Sequence, residues 1–412
     1  MSAAPGVARP SYRTLLAAHP AFRNLFLGQT ISRLGDAVDD IAVIWLVLQV
    51  TGSALATATT LAFQILPTLL FGLLAGALVD RWDRRRAMVA MDLVRAGIVL
   101  AIPILRGQGL LTLPLLYLLV FGLGVGSQVF RPALRASLPN LVPAAGLMGA
   151  NSLLEVTRQL GGIVGPGLAG LLIATVGIDT LFYLDAATYA VSALLIALAR
   201  IPGAPARPTG NRITVGRDIL EGIRYLVRAR AIFLLALLGI LSHLYWAAMP
   251  LISPVLAERV LGVGAAGYGV LVSGLNAGMV ASGLAIGLLP RTVGRGRLIV
   301  LGYWGMGLTA GLLALTTTLW QAAVVLALSG ALAMLTVVPF FALLQERVPD
   351  EFRGRVFATD ETLEHAVLPP FYALTGWLLD TRGVPFVLFF VGAGLAAVGL
   401  LALLRPEVRE AA

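Results

Sequence analysis

The segment Gly76-Ala77-Leu78-Val79-Asp80-Arg81-Trp82-Asp83-Arg84-Arg85-Arg86 stands between two long apolar tracts, and its outline returns as Gly287-Leu288-Leu289-Pro290-Arg291-Thr292-Val293-Gly294-Arg295-Gly296-Arg297. In each copy a glycine admits a close helix neighbour, and arginines follow where the chain would leave a bilayer on its cytoplasmic side. The pairing reads as a membrane chain in two related halves. Outward from it, the runs 41–79, 107–130, 260–290 and 298–345 carry no charge and are longer than a soluble core helix needs. One crossing takes about 20 residues, so the longest runs hold two apiece. Strands of a barrel would alternate polar and apolar residues over about 10 positions, which these runs do not do.

Composition agrees: 58% of the 412 residues are hydrophobic and 12% charged, against roughly 45–50% and about 25% in soluble domains. All 30 basic residues are arginine, and there is no cysteine, which removes disulfides, thiol catalysis and cysteine metal sites. The formal charge of +9 does not point to nucleic acid, because the arginines are spread over loops and not gathered on one polar domain. The first 20 residues hold no apolar core of their own, so no cleavable leader is expected and the start is expected to stay in the cytoplasm.

Twelve spans are predicted near 22–50, 54–79, 87–105, 111–130, 147–176, 180–199, 231–257, 265–289, 298–317, 319–344, 356–379 and 385–404. Turn signals such as Thr51-Gly52-Ser53, Arg106-Gly107-Gln108-Gly109 and Val176-Gly177-Ile178-Asp179 punctuate them. With both termini inside, only Arg106, Arg259 and Arg382 fall outside and Arg33, Arg95 and Arg158 within spans; the remaining arginines are cytoplasmic, and that asymmetry orients the chain. The expected organisation is a six-helix bundle over 1–200, a cytoplasmic linker over 201–230 and a second six-helix bundle over 231–412. The linker carries Pro202, Pro205 and Pro208 and a basic amphipathic stretch in which Ile213, Ile219, Leu220, Ile223, Leu226 and Val227 share a face. It reads either as a surface linker or as a regulatory contact.

Charges within spans are costly and normally face a cavity or a partner. Span one carries Arg33, Asp36, Asp39 and Asp40, whose spacings of three and four bring them near one face. Burial and a neighbouring arginine act on a carboxyl's proton affinity in opposite senses, so this cluster can serve proton coupling, with Asp36 and Asp40 ahead of Asp39; the alternative is a permanent ion pair with Arg33. Span eleven carries Asp360, Glu361, Glu364 and His365, where Glu361 and His365 are placed to share a proton. Glu155 and Arg158 on span five form either a structural pair or part of the substrate cavity. Asp92 and Arg95 read as a similar brace, and Asp185 as a solvated residue at the outer end of span six. His243, Tyr245 and Trp246 on span seven, in a tract interrupted by Pro250 and Pro254, are candidates for the substrate cavity or for an interfacial aromatic belt.

No Walker loop is present, so ATP is not expected to drive the process directly. Three histidines far apart and no cysteine predict no metal site. Serine and histidine occur without a nucleophile elbow.

The twelve spans, the six-plus-six division and the tract from Gly76 to Arg86 resemble the major facilitator superfamily, over nearly the whole chain. Gly76, the Asp80-Arg81 pair and the basic cluster match the loop motif between spans two and three; Asp83 stands where the family usually has glycine. Gly161-Gly162-Ile163-Val164-Gly165-Pro166-Gly167-Leu168-Ala169-Gly170 resembles the span-five motif of drug/proton antiporters, with alanine in the penultimate place. Gly28-Gln29-Thr30-Ile31-Ser32, Glu221-Gly222-Ile223-Arg224-Tyr225-Leu226 and Val348-Pro349-Asp350-Glu351-Phe352-Arg353-Gly354-Arg355-Val356 resemble the efflux group that includes macrolide exporters and the enterobactin exporter. Span four lacks the arginine that many such antiporters carry near Gly122-Leu123-Gly124. The resemblance implies that Asp360 or Glu361 faces Arg84 or Arg81 in a cytoplasmic gate, with Asp80 near Arg131 and the start of span eleven. The span-eleven acids are thus gate or proton carrier.

The fold expected is an all-α integral membrane protein of twelve helices in two pseudo-symmetric halves, and the function a proton-coupled exporter of an amphipathic small molecule by alternating access. Gly161, Gly165, Pro166 and Gly170 form its expected antiporter seam. No cofactor is expected beyond the proton gradient, and the partners are a small-molecule substrate and the lipid bilayer, with no nucleic acid and a monomer as the working unit. The expected location is a bacterial inner membrane. An uptake symporter or lysolipid flippase on the same fold is the alternative, and a membrane-embedded hydrolase using Asp360, Glu361 and His365 a remote one.

Overall fold

The computed structural model describes residues 11–79, 82–201, 230–288, 294–348 and 350–405; within these, the side chains of 73–79, 230–236, 350–355, 357–358 and 360–361 lie outside the description. Asp80, Arg81 and the linker's amphipathic stretch therefore fall outside the described residues, as do the surroundings of Gly76 and the side chains of Asp360 and Glu361. The elements are α1 (Tyr12–Ala18), α2 (Pro20–Thr51), α3 (Ala54–Val79), α4 (Arg84–Gly107), α5 (Leu113–Leu141), α6 (Ala144–Val176), α7 (Ile178–Leu198), α8 (Arg230–Val255), a π-helical turn at Leu256–Val260, α9 (Gly264–Ile286), α10 (Arg295–Leu313), α11 (Leu319–Arg347) and α12 (Asp350–Leu404).

Among the described residues, ten helices are long and apolar enough to cross a membrane. α2 misses that measure because Arg33, Asp36, Asp39 and Asp40 interrupt its apolar run. α12 contains two crossings, separated at Gly383, whose φ of 80° breaks the helix. Counted so, the described helices supply the twelve spans that the sequence predicts. Local chemistry starts and stops them: Asp83 accepts from the Arg86 N–H at the head of α4, Thr318 from the Gln321 N–H at α11, and Gly177, at φ 84°, parts α6 from α7. Helices dominate because lipid offers no hydrogen bonds, so each span must satisfy its own backbone.

Two compact units emerge: Met1–Val43 with Phe63–Asn211, and Ile44–Ala62 with Arg212–Ala412. In the first, α4 packs on α5 and α7, and Leu15, Phe22, Leu25, Met88, Phe130 and Ile196 belong to one buried cluster. In the second, α9 packs on α11, α10 on both α11 and α12, and α8 on α12. The α9–α11 contact is backbone to backbone: a Cβ on Gly278 would lie 1.8 Å from the Ala327 carbonyl oxygen, and one on Gly330 2.1 Å from that of Leu275. Without a hydrophobic drive between helices in lipid, such small-residue seams supply the packing.

The tip of the α2–α3 hairpin, residues 44–62, is held within the second unit. Trp45 stacks on Tyr268 at 5.8 Å between ring centres. Asp380 on α12 caps α3, accepting from Ser53 Oγ at 2.7 Å, Ala54 N at 2.9 Å and Leu55 N at 3.0 Å. Arg259 stands 3.5 Å from the same carboxylate and donates to the Gly52 carbonyl. A carboxylate at a helix N-terminus satisfies orphan N–H groups and complements the dipole. Asp380→Ala should therefore lose about 1–2 kcal/mol and lower the unfolding midpoint of the detergent-solubilised protein. Asp380→Asn, which keeps one acceptor, should lose less; an unchanged midpoint in Asp380→Ala would refute the cap.

Candidate functional site

The first unit concentrates its buried charge where α2, α4 and α7 meet. Asp36 accepts from the Tyr189 hydroxyl on α7 and stands 4.0 Å from Arg33. The Arg95 guanidinium lies over the Tyr189 ring at 4.4 Å and the Phe130 ring at 4.6 Å, and it donates to Asp92 on its own helix. A chain Arg33–Asp36–Tyr189–Arg95–Asp92 thus joins three helices. Asp92 and Arg95 are buried, as a brace would be, and removing one partner of such a pair costs roughly 3–5 kcal/mol.

One oxygen of Asp92 finds no hydrogen-bond partner, and two carboxylates beside this chain share that state without an arginine to bind. Asp39 is 7% exposed and Asp185 1% exposed, and Asp39 Oδ1 and Asp185 Oδ2 have no hydrogen-bond partner. The other oxygen of Asp185 meets Thr188 Oγ1 at 3.0 Å. Asp185 fits into a notch on α2, for a Cβ on Gly35 would fall 2.1 Å from its Oδ1. The solvated position expected for Asp185 is corrected here: the missing side chain at Gly35 draws α7 onto α2 and shuts that carboxyl away from water. Asp40, one residue from Asp39, is exposed and accepts from Gln64 on α3 at 2.6 Å.

The glycine motif of α6 packs on this same part of α2. A Cβ on Gly165 would lie 2.5 Å from the Ala37 Cβ, and one on Gly161 3.4 Å from the Arg33 carbonyl oxygen. Pro166 and Gly170 are buried beside them. The small-residue face therefore abuts the turn between Arg33 and Ala37, which carries Asp36.

Between α2, α5 and α6 the unit opens into a cleft of about 530 Å³ lined by Arg33, Arg131, Arg135, Glu155 and Arg158 together with Gln29 and leucines. Glu155 and Arg158 form a two-pronged pair on exposed side chains, at 2.5 and 3.0 Å. Arg84 donates to the Ala136 carbonyl of α5 at 2.7 Å.

In the second unit His243 Nε2 meets Glu364 Oε1 at 3.2 Å, while its Nδ1 faces the Gly239 carbonyl at 2.8 Å. Tyr245 is fully buried, its hydroxyl 2.8 Å from Ser329 Oγ, and Trp246 meets it edge-on at 5.6 Å. His365 lies one residue beyond Glu364 on α12.

The structure thus brings Arg33, Asp36 and Asp39 together with Asp185 and Tyr189, and joins His243 to Glu364. It sets Tyr245 into packed core. Sequence reasoning missed Tyr189, Gln64, Gln29 and Arg135; only Arg135, four residues after Arg131 on α5, carried a spacing signal.

A family profile described as "Transmembrane secretion effector" matches residues 15–411. The chain is 24% identical to the macrolide efflux protein A of Streptococcus pyogenes, over 94% of this chain and 96% of that protein. It is 29% identical to the multidrug efflux pump Tap of Mycolicibacterium fortuitum, over 91% and 93%. Among solved structures, a bacterial homologue of the iron transporter ferroportin superposes with a TM-score of 0.76 at 16% identity, covering 93% of this chain and 98% of that one.

Proposed function

The chain belongs to the transmembrane secretion effector family of the major facilitator superfamily, and we propose that it is a proton-driven exporter of amphipathic small molecules working by alternating access. It is a multi-pass membrane transporter of that superfamily, not an enzyme. Export is supported by the names of its full-length relatives, an efflux protein for macrolides and a multidrug pump. Proton coupling is supported by one observation above the others: Asp39 and Asp185, buried on facing helices, each hold a carboxylate oxygen with no hydrogen-bond partner. Ionisable groups inside a membrane are expensive, and proton relays are among the roles that retain them. A carboxyl that trades its proton against substrate release is the physical content of antiport.

The arginine asymmetry supports an inner membrane of a bacterium with both termini cytoplasmic, and the working unit is proposed to be the monomer. Everted vesicles test the whole reading. A fluorescent amphipathic dye without a basic amine should accumulate in everted vesicles carrying the protein, beyond the level in vesicles without it, when an inward-acid gradient is imposed, and the excess should collapse on adding a protonophore. Accumulation indifferent to the protonophore would overturn coupling, and movement in the opposite sense under the same gradient would make the protein an uptake carrier.

A further inference from the structure

The cleft of the first unit carries an excess of positive charge that its own carboxylates do not neutralise. Four arginines line it, Arg33, Arg131, Arg135 and Arg158, against one acid, Glu155. Both oxygens of Glu155 are already committed to Arg158. Arg131 and Arg135, one helical turn apart on α5, make no hydrogen bond or ion pair with any described residue. Arg33 reaches Asp36 only at 4.0 Å. Arg131 lies in the repulsive field of both Arg33 and Arg135, relieved in part by Asp36 and Asp40.

A second, independent feature points into the same space. Gln29 is 3% exposed, lines the cleft, and finds no hydrogen-bond partner among the described residues. Its amide opens onto the cleft, so its donors are available to an occupant. Leu134, Leu138 and Leu154 complete an apolar wall. Arg131 and Arg135 are solvent-exposed while lining the cleft, so an occupant can reach them from water.

We propose that this cleft seats the acidic group, a carboxylate or similar compact anionic oxygen group, of an amphipathic substrate. Arg131 and Arg135 receive the oxygens with their forked donors, Gln29 adds a neutral donor, and the leucine wall takes the apolar body. Guanidinium pairs with carboxylate oxygens in two-pronged, charge-assisted bonds. The proposal deepens the export reading by naming a substrate class, and rests on that reading only for the biological occupant.

The test is a binding measurement on the full detergent-solubilised chain with two matched probes, 1-pyrenebutyrate and 1-pyrenebutanol. The carboxylate should bind about tenfold tighter or more than the alcohol, and the difference should shrink with added salt. Arg131→Gln with Arg135→Gln should erase the difference, whereas Arg131→Lys with Arg135→Lys should keep part of it. The lysine pair also guards against misreading a misfolded glutamine variant. Excess benzoate should displace pyrenebutyrate. Equal binding of the two probes would overturn the proposal, and so would charge discrimination that survives the double glutamine variant. Displacement by dihexanoyl phosphatidylglycerol but not by benzoate would make the cleft a headgroup site and also overturn it. Lost discrimination with gradient-driven export intact overturns this proposal alone; intact discrimination without gradient-driven export overturns the coupling reading alone.

Discussion

Asp39→Asn is expected to reduce gradient-driven transport in everted vesicles to the level of protein-free vesicles, while the thermal midpoint of the purified protein stays level or rises. The two halves of that result separate a proton carrier from a structural acid. Asp39 is buried, one of its oxygens has no partner, and the acids Asp36, Asp40 and Asp185 crowd it. Arginines of the same network are engaged with other acids: Arg95 binds Asp92, and Arg33 faces Asp36. Burying a carboxylate in such surroundings costs several kcal/mol when it is charged. Asparagine has nearly the same shape, carries no charge and exchanges no proton, so it relieves that cost and removes the chemistry. Exchange of labelled for unlabelled substrate, which needs no gradient, should survive. Asp185→Asn should behave alike, because the two carboxyls feel one another's charge. Parental gradient-driven rates in both variants would refute the assignment.

Gly165→Leu is expected to fold and to lose export. The motif Gly161–Gly170 is pressed against α2 so closely that even one added methyl at Gly165 would stand 2.5 Å from the Ala37 Cβ and 3.2 Å from the Ala37 carbonyl oxygen. The larger side chain must push α6 off α2, at a cost of roughly 1–3 kcal/mol. It would do so at the turn that carries Arg33 and Asp36. Proton leak without substrate, read with a pH-sensitive dye inside vesicles, is expected alongside the loss. A size swap makes the argument specific: Gly165→Ala alone should impair export, and Gly165→Ala combined with Ala37→Gly should restore much of it, because the methyl merely changes sides. Failure of the swap to restore anything, with both proteins folded, would mean that contact between these helices is not what the glycine protects.

The sequence by itself determined the spans, their breaks and the family. Backbone hydrogen bonds in lipid must be satisfied within each helix, so a crossing is a local property, written in runs such as 298–345 and ended by residues such as Gly52, Gly109 and Gly177. The glycine motif of α6 was equally legible, because small residues three and four apart mark a close face whatever it touches. The identity of the partner was another matter. Spacing placed Asp36, Asp39 and Asp40 on one side of α2, yet only the tertiary structure gave them different surroundings: Tyr189 for Asp36, Gln64 for Asp40, and for Asp39 an oxygen with no partner. Asp185 looked like a solvated end residue until Gly35 received it. The pairing of His243 with Glu364 and the capping of α3 by Asp380 join residues more than a hundred positions apart. Helical periodicity fixes where side chains lie relative to one another on one helix, but not how that helix is turned about its axis towards its neighbours. That rotation is set by packing among helices, and it alone decided which of these carboxyls found a donor.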